Sequence, residues 1–214
     1  MTALASIAEQ QGSPRAVRRG WIRACIVGEL FGFIPPAVTG AALFLLDAPE
    51  AVMVAGLVTA GVGEGLILGK AQATVIERAL PPVSGWTGAT ALAAGLAWLA
   101  GMGGSSLVQA VGGAGLIVAI PGWILGLLSM GYLQSRRLRP FVEGSHRWIA
   151  ITTLAWLVGV AVPVIALSVV PNGWHALVHV VVAVAAAVAM GATVGAISAG
   201  TLQRFVTAAE TPPD

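Results

Sequence analysis

Charge is what this chain has least of. Among 214 residues there are 11 Lys and Arg and 9 Asp and Glu, so 9% of the chain is charged while 57% is hydrophobic, with a mean hydropathy of +0.89. That is far too little polar surface for a soluble globule. Cysteine is nearly missing as well, and Cys25 alone excludes an intrachain disulfide. Long polar stretches occur only at the ends, which excludes a soluble domain inserted between the apolar runs. The first apolar run contains Glu29, Pro35 and Pro36, which argues against a cleaved signal peptide.

What remains is apolar sequence in long runs. Crossing the hydrocarbon takes about 20 mainly apolar residues per helix, and six runs are read as spans: 21–46, 51–76, 86–101, 108–134, 148–170 and 175–203. The expectation is an all-α integral membrane protein, with a basic tail over 1–20, a transmembrane domain over 21–204 and a polar tail over 205–214. Arg15, Arg18, Arg19, Arg23, Lys70, Arg78, Arg136, Arg137, Arg139, Arg147 and Arg204 all fall on one side of such a six-span path. The opposite loops carry Asp47 and Glu50. The positive-inside rule then puts both termini in the cytoplasm, in the inner membrane of a bacterium, where the basic rim favours anionic lipid head groups. That rim gives no support to nucleic-acid binding.

The runs repeat. Trp21, Trp86 and Trp148 each open an outward-going span, and the inward-going spans end at Gln72, Gln134 and Gln203, each preceded three residues earlier by Gly69, Gly131 and Gly200. Three helical hairpins follow, 21–76, 86–134 and 148–203, parallel copies about a pseudo-threefold axis along the membrane normal. Trp is expected at the interface, with its ring in the head-group layer. The pairs Gly61 and Gly65, Gly122 and Gly126, and Gly191 and Gly195 are spaced as GxxxG packing motifs, which let helices approach where lipid supplies no hydrophobic drive. Gln at the basic end is suited to bonding a neighbouring helix or the next loop.

The segment "GYLQSRRLRPFVEGSHRWIAITTLAWLVG", residues 131–159, carries the repeat unit in one stretch: small residues, Gln, a basic loop and the next Trp. In this it resembles bacterial multi-spanning membrane proteins built on a repeated Gly/Gln/Trp hairpin, a resemblance that implies the hairpin fold over nearly the whole chain and no particular activity. Mitochondrial carriers also have three hairpins, but their acidic residue two positions after each odd-span proline is replaced here by Val38 and Ile165.

The first hairpin departs from the others toward charge. Glu64 stands where the second and third hairpins have Gly126 and Gly195. Lys70 aligns with Tyr132 and Thr201, and Glu29 with Ala94 and Trp156. Counted at 1.5 Å per residue from the basic side, Glu29 and Lys70 both lie roughly 10 Å deep, so they are expected to pair. Glu64 lies about 9 Å deeper, with no basic residue at its level, and is expected to be neutral, bonded to a polar neighbour, or facing water. Intramembrane charges cost roughly 3 kcal/mol each on insertion scales. Their retention suggests a site for a proton, cation or small polar solute formed by Glu64, Glu29 and Lys70. A structural ion pair setting helix register, or a partner's helix supplying the missing charge, are the alternatives.

Other groups carry less. His175 and His179 share a helical face with metal-ligand spacing, but a third ligand would have to come from Asp47 or Glu50 in another loop, so no metal or cofactor is assigned. Ser129 lies at the basic side, opposite both histidines. Ser105 and Ser106 of "GMGGSS" are expected in a glycine-rich loop with no oriented acid, so no catalytic residue is assigned. Two functions fit: a small transporter or permeation protein using Glu64, or an accessory scaffold subunit binding a membrane-protein partner or a second copy of itself.

Overall fold

The structure is a computed structural model that describes residues 14–80, 83–171 and 173–210. Among the described residues it is entirely helical. In chain order the helices are α1 (Pro14–Gly32), α2 (Ile34–Leu45), α3 (Glu50–Ala79), α4 (Trp86–Val111), α5 (Leu116–Leu138), α6 (Arg147–Ser168) and α7 (Ala176–Glu210), with a 3-10 turn at Gly112–Gly115 between α4 and α5. Among the described residues five helical runs are long and apolar enough to cross a membrane: Arg15–Leu45, Glu50–Ala79, Trp86–Leu138, Arg147–Ser168 and Leu177–Ala209.

Two boundaries differ from the sequence reading for local reasons. The first run breaks at Phe33 because Pro35 and Pro36 have no N–H to return to the preceding turn. Across the break the Phe33 N–H stays bonded to Glu29 O at 3.0 Å. The "GMGGSS" segment, expected as a loop, is helical, with Ser105 Oγ donating to Gly101 O at 2.8 Å. In lipid an open backbone is costlier than glycine's poor helix propensity, so the helix continues. The reversal comes instead at Gly112, whose φ of +64° suits a residue without Cβ. Beyond it α5 runs antiparallel to α4, with Gly115 against Val108, Ala119 beside Gly104, and Ser129 reaching Ala93. The expected tails are also partly helix. Val17, Phe205 and Val206 are buried in the core, while residues 1–13 and 211–214 lie outside the described residues.

The helices close into a ring in which α1 packs on α3 and α7, α3 on α4, α4 on α5, α5 on α6 and α6 on α7, with α2 lying along α3. The buried stripe of α3 explains its place. Ala60, Gly61, Glu64, Gly65, Leu68, Gly69, Gln72, Ala73 and Ile76 recur at helical spacing and are mostly small, so two neighbouring helices can approach. The main core lies at the end of the ring that carries the arginines, where Val17, Trp21, Ile76, Trp86, Leu138, Trp148, Leu202 and Val206 form one cluster. The far end is more open, and Phe44, Leu45, Ile117, Val118, Val164 and Ile165 present apolar surface outward.

Candidate functional site

Three tryptophans meet on the axis of the ring. Trp21, Trp86 and Trp148 are at most 1% exposed, with ring centroids 6.0, 5.5 and 6.0 Å apart in edge-to-face arrangement. They are therefore not interfacial anchors, as their sequence position suggests, but the centre of the core. Edge-to-face contact satisfies the rings' quadrupoles, and burial obliges each indole N–H to find an acceptor. Trp86 Nε1–H donates to Gln72 Oε1 at 3.1 Å and Trp148 Nε1–H to Gln134 Oε1 at 2.9 Å. Trp21 Nε1–H donates to Ser198 Oγ at 2.8 Å.

One helical turn further in, four residues after each Trp, stand Cys25, Thr90 and Thr152, all buried. Gln134 Nε2 donates to Thr90 Oγ1 at 3.0 Å and to Gln72 Oε1 at 3.3 Å, and Gln72 Nε2 reaches Cys25 Sγ at 3.6 Å. Each Gln thus ties the Trp of the following hairpin to a group on a second helix. In the remaining sector Ser198 is too short to do the same, and Thr152 Oγ1 is buried without a hydrogen-bond partner.

The glycines define this register. A Cβ at Gly69 would lie 2.9 Å from Thr87 Cα, one at Gly131 2.8 Å from Ile149 Cα, and one at Gly195 2.8 Å from Ile22 Cα. Each contacted residue directly follows its Trp, and three residues after each glycine come Gln72, Gln134 and Ser198. The third place expected for Gln203 and Gly200 therefore belongs to Ser198 and Gly195. Gln203 is half-buried, and a Cβ at Gly200 would meet nothing within 4 Å. Gly122 is likewise open and is not a packing position. Gly65, Gly126 and Gly191 are: added Cβ atoms would lie 2.6, 3.2 and 2.8 Å from Cα atoms of α4 (Gly65 and Gly126) and α1 (Gly191). Gly61 lies under the Trp98 ring. Sequence reasoning missed Ser198, Thr90 and Thr152. The signal was present in "GKAQ", "GYLQ" and "GAIS", but "GTLQ", five residues past "GAIS", imitates it.

Above this polar ring lie the carboxyls. Glu29, eight residues after Trp21, is fully buried, and neither carboxyl oxygen has a hydrogen-bond partner. Glu64 is 6% exposed and accepts the Trp98 Nε1–H at 2.6 Å, while its Cγ and backbone pack under Gly32. The two carboxyls are electrostatic neighbours. The expected Glu29–Lys70 pair does not form, because Lys70 is exposed on the outside of α3. Depth matched but azimuth did not: six residues past the inward-facing Glu64, Lys70 is turned about 120° away around the helix.

The other sequence candidates stay apart from this site. His175 is exposed, its Nδ1 accepting the Leu177 N–H at 3.2 Å, and no three His, Cys, Asp or Glu side chains converge among the described residues. Ser129 Oγ donates to Gly126 O at 2.7 Å within its own helix. A surface depression of about 330 Å³ at the far end is lined by Glu50, Met53, Met102, Ser105, Ser106 and Gln109. A smaller one of about 80 Å³ at the basic end lies between α1 and α3, lined by Gly20, Val75 and Arg78 among others. Neither includes Glu29, Glu64 or Lys70. No protein family, curated protein or solved structure matches the chain.

Proposed function

We propose that this protein is a small membrane transporter or permeation protein that carries a proton or small cation on the Glu29 and Glu64 pair. The observation that carries the reading is the pair itself: two carboxyls buried as neighbours, with the nearest expected cation facing outward. Burying two like charges together is so unfavourable that the pair holds a counter-charge in the form of a bound proton or cation. In this reading the chain has six spans in three hairpins about a pseudo-threefold axis, both termini in the bacterial cytoplasm, and basic residues against anionic lipid. The antiparallel arms of α4 and α5, the closed helix order and the matching contacts of Gly69, Gly131 and Gly195 support it. The test is ion flux in liposomes: Glu29→Gln and Glu64→Gln keep the fold and abolish flux. Wild-type flux in both variants refutes the assignment.

A second reading has its own observation. Lys70 is exposed in the last third of the apolar helix α3, beside exposed Leu66 and Ile67, as suits an accessory subunit offering charge to a partner's helix or to another copy of itself. Native mass spectrometry of protein extracted in mild detergent checks this. It predicts a stoichiometric partner that Lys70→Met releases, and a lone monomer with both forms counts against it.

A further inference from the structure

Helices α3 and α4 pack in antiparallel register, and their seam changes character along its length. Toward the arginine end backbone meets backbone: a Cβ at Gly69 would lie 2.9 Å from Thr87 Cα, and one at Gly65 2.6 Å from Ala91 Cα. Further along, the Trp98 ring takes the space over Gly61, and its N–H is held by Glu64 Oε2 at 2.6 Å. The register that sets Gly69 level with Thr87 and Gly65 level with Ala91 sets Val54 level with Met102 and Glu50 level with Ser106. Side chains of that size keep helices apart, and the depression of about 330 Å³ opens between them there. Trp98 comes one helical turn, about 6 Å, before Met102, so its ring stands between this crevice and Glu64.

The crevice is lined differently from the rest of that end, where Phe44, Leu45, Ile117 and Val118 present hydrocarbon outward. Met102, Ser105, Ser106 and Gln109 recur at three- and four-residue steps and so share one face of α4, while Glu50 and Met53 do the same on α3. Among the described residues Glu50, Ser106 and Gln109 have no hydrogen bond or ion pair with another side chain or with the backbone. Ser105 Oγ already donates to Gly101 O. One carboxyl, a hydroxyl and an amide therefore converge on a hollow with nothing in the protein to bond.

We propose that the crevice between α3 and α4 is a binding site for a small organic ammonium ion, its nitrogen held by Glu50, Ser106 and Gln109 and its hydrocarbon part by Met53 and Met102. Glu50 is the only charged side chain in the lining, which sets the sign of the ligand. Ser106 Oγ and Gln109 Oε1 accept the N–H groups that the carboxyl leaves over. The volume sets the size: at about 30 Å³ per water it holds roughly ten, room for a small molecule and far more than a bare ion. A hard metal cation takes about six oxygen ligands, several of them carboxylate, whereas here one acid is present and no three His, Cys, Asp or Glu side chains converge among the described residues. The thioethers are flexible and polarizable and mould to a carbon chain. This site is separate from the Glu29 and Glu64 pair and goes beyond the reading of that pair.

The experiment is saturation-transfer NMR on the full chain in nanodiscs of zwitterionic lipid, with empty nanodiscs as the blank. The probe is n-butylammonium, and 1-butanol and butyrate are its neutral and anionic counterparts. The expected result is a saturable signal from butylammonium alone. Glu50→Gln weakens it about fivefold, the upper end for an ion pair open to water. Met102→Trp fills the crevice and removes the signal, while Glu64→Gln, beyond the Trp98 ring, leaves it unchanged. Should Met102→Trp fold poorly, Gln109→Leu takes its place, since it removes an acceptor from an exposed helical position and is expected to weaken binding. Equal binding of 1-butanol, or an affinity that neither Glu50→Gln nor Gln109→Leu alters, overturns the proposal. Saturable silver binding that Met53→Leu abolishes, with no ammonium signal, overturns it as well and makes the crevice a soft-metal site. Ammonium binding in a protein with no liposome flux would refute the transport reading and leave this site standing, and flux without ammonium binding would do the reverse.

Discussion

Replacing Gln134 by Leu tests the polar ring most directly. Its side chain donates to Thr90 and Gln72 and accepts from Trp148, at 3.0, 3.3 and 2.9 Å. Hydrogen bonds between helices in membranes average about 0.6 kcal/mol, so three of them account for roughly 2 kcal/mol. The Trp148 N–H, on a fully buried ring, is then left without an acceptor, and an orphaned donor costs about 1 to 3 kcal/mol more. Leu fills most of the volume, so the cavity contribution is small. The expected loss is therefore about 3 to 5 kcal/mol. Gln203→Leu, at the half-buried position that imitates the motif, should cost less than about 0.5 kcal/mol. Unfolding in mixed micelles followed by tryptophan fluorescence measures both, since the three central rings report the core. Equal costs for the two variants, or a Gln134→Leu protein as stable as wild type, would refute the argument that Gln134 and Ser198, and not Gln203, hold the tryptophans.

Other substitutions probe the remaining claims. Glu29→Leu removes two unpartnered buried oxygens, so the melting temperature should rise, by about 1 to 3 kcal/mol in stability, while ion flux is lost; a fall in stability would mean that protein groups already satisfy the carboxyl. Lys70→Met should change stability by less than about 0.5 kcal/mol, because the lysine faces outward; a loss of about 3 to 5 kcal/mol, the cost of breaking a buried pair, would restore the Glu29–Lys70 ion pair. Gly131→Val drives a side chain into the backbone of Ile149 and should destabilise by more than about 2 kcal/mol, whereas Gly122→Val meets open space and should be neutral in the same unfolding assay.

Those outcomes turn on features that were unevenly legible in the sequence. The apolar runs, the Trp and Gln spacing of the first two hairpins and the odd charges of the first hairpin could all be read from the chain. Each depends only on residues close in sequence or on regular helical rise. The Lys70 misreading shows the limit, since rise gives depth while partnership also needs the side chain's direction around the helix. "GMGGSS" shows another, because glycine's propensity for loops was measured in water and lipid penalises the open backbone a loop would need. The third sector was misread because "GTLQ" and "GAIS" differ in register by five residues, and only helix packing decides which glycine faces Ile22.

By itself, then, the sequence determined that this is a helical membrane protein with a basic end, a recurring spacing of Trp and Gln, and three unusual charges. Composition and helical period suffice for those. The tertiary structure alone decided that the tryptophans meet on the axis, that Ser198 rather than Gln203 holds Trp21, that Lys70 faces outward, and that Glu29, Glu64 and Thr152 are buried. Each of those depends on which faces of separate helices meet, and that is set by close contacts between small residues distant in the chain.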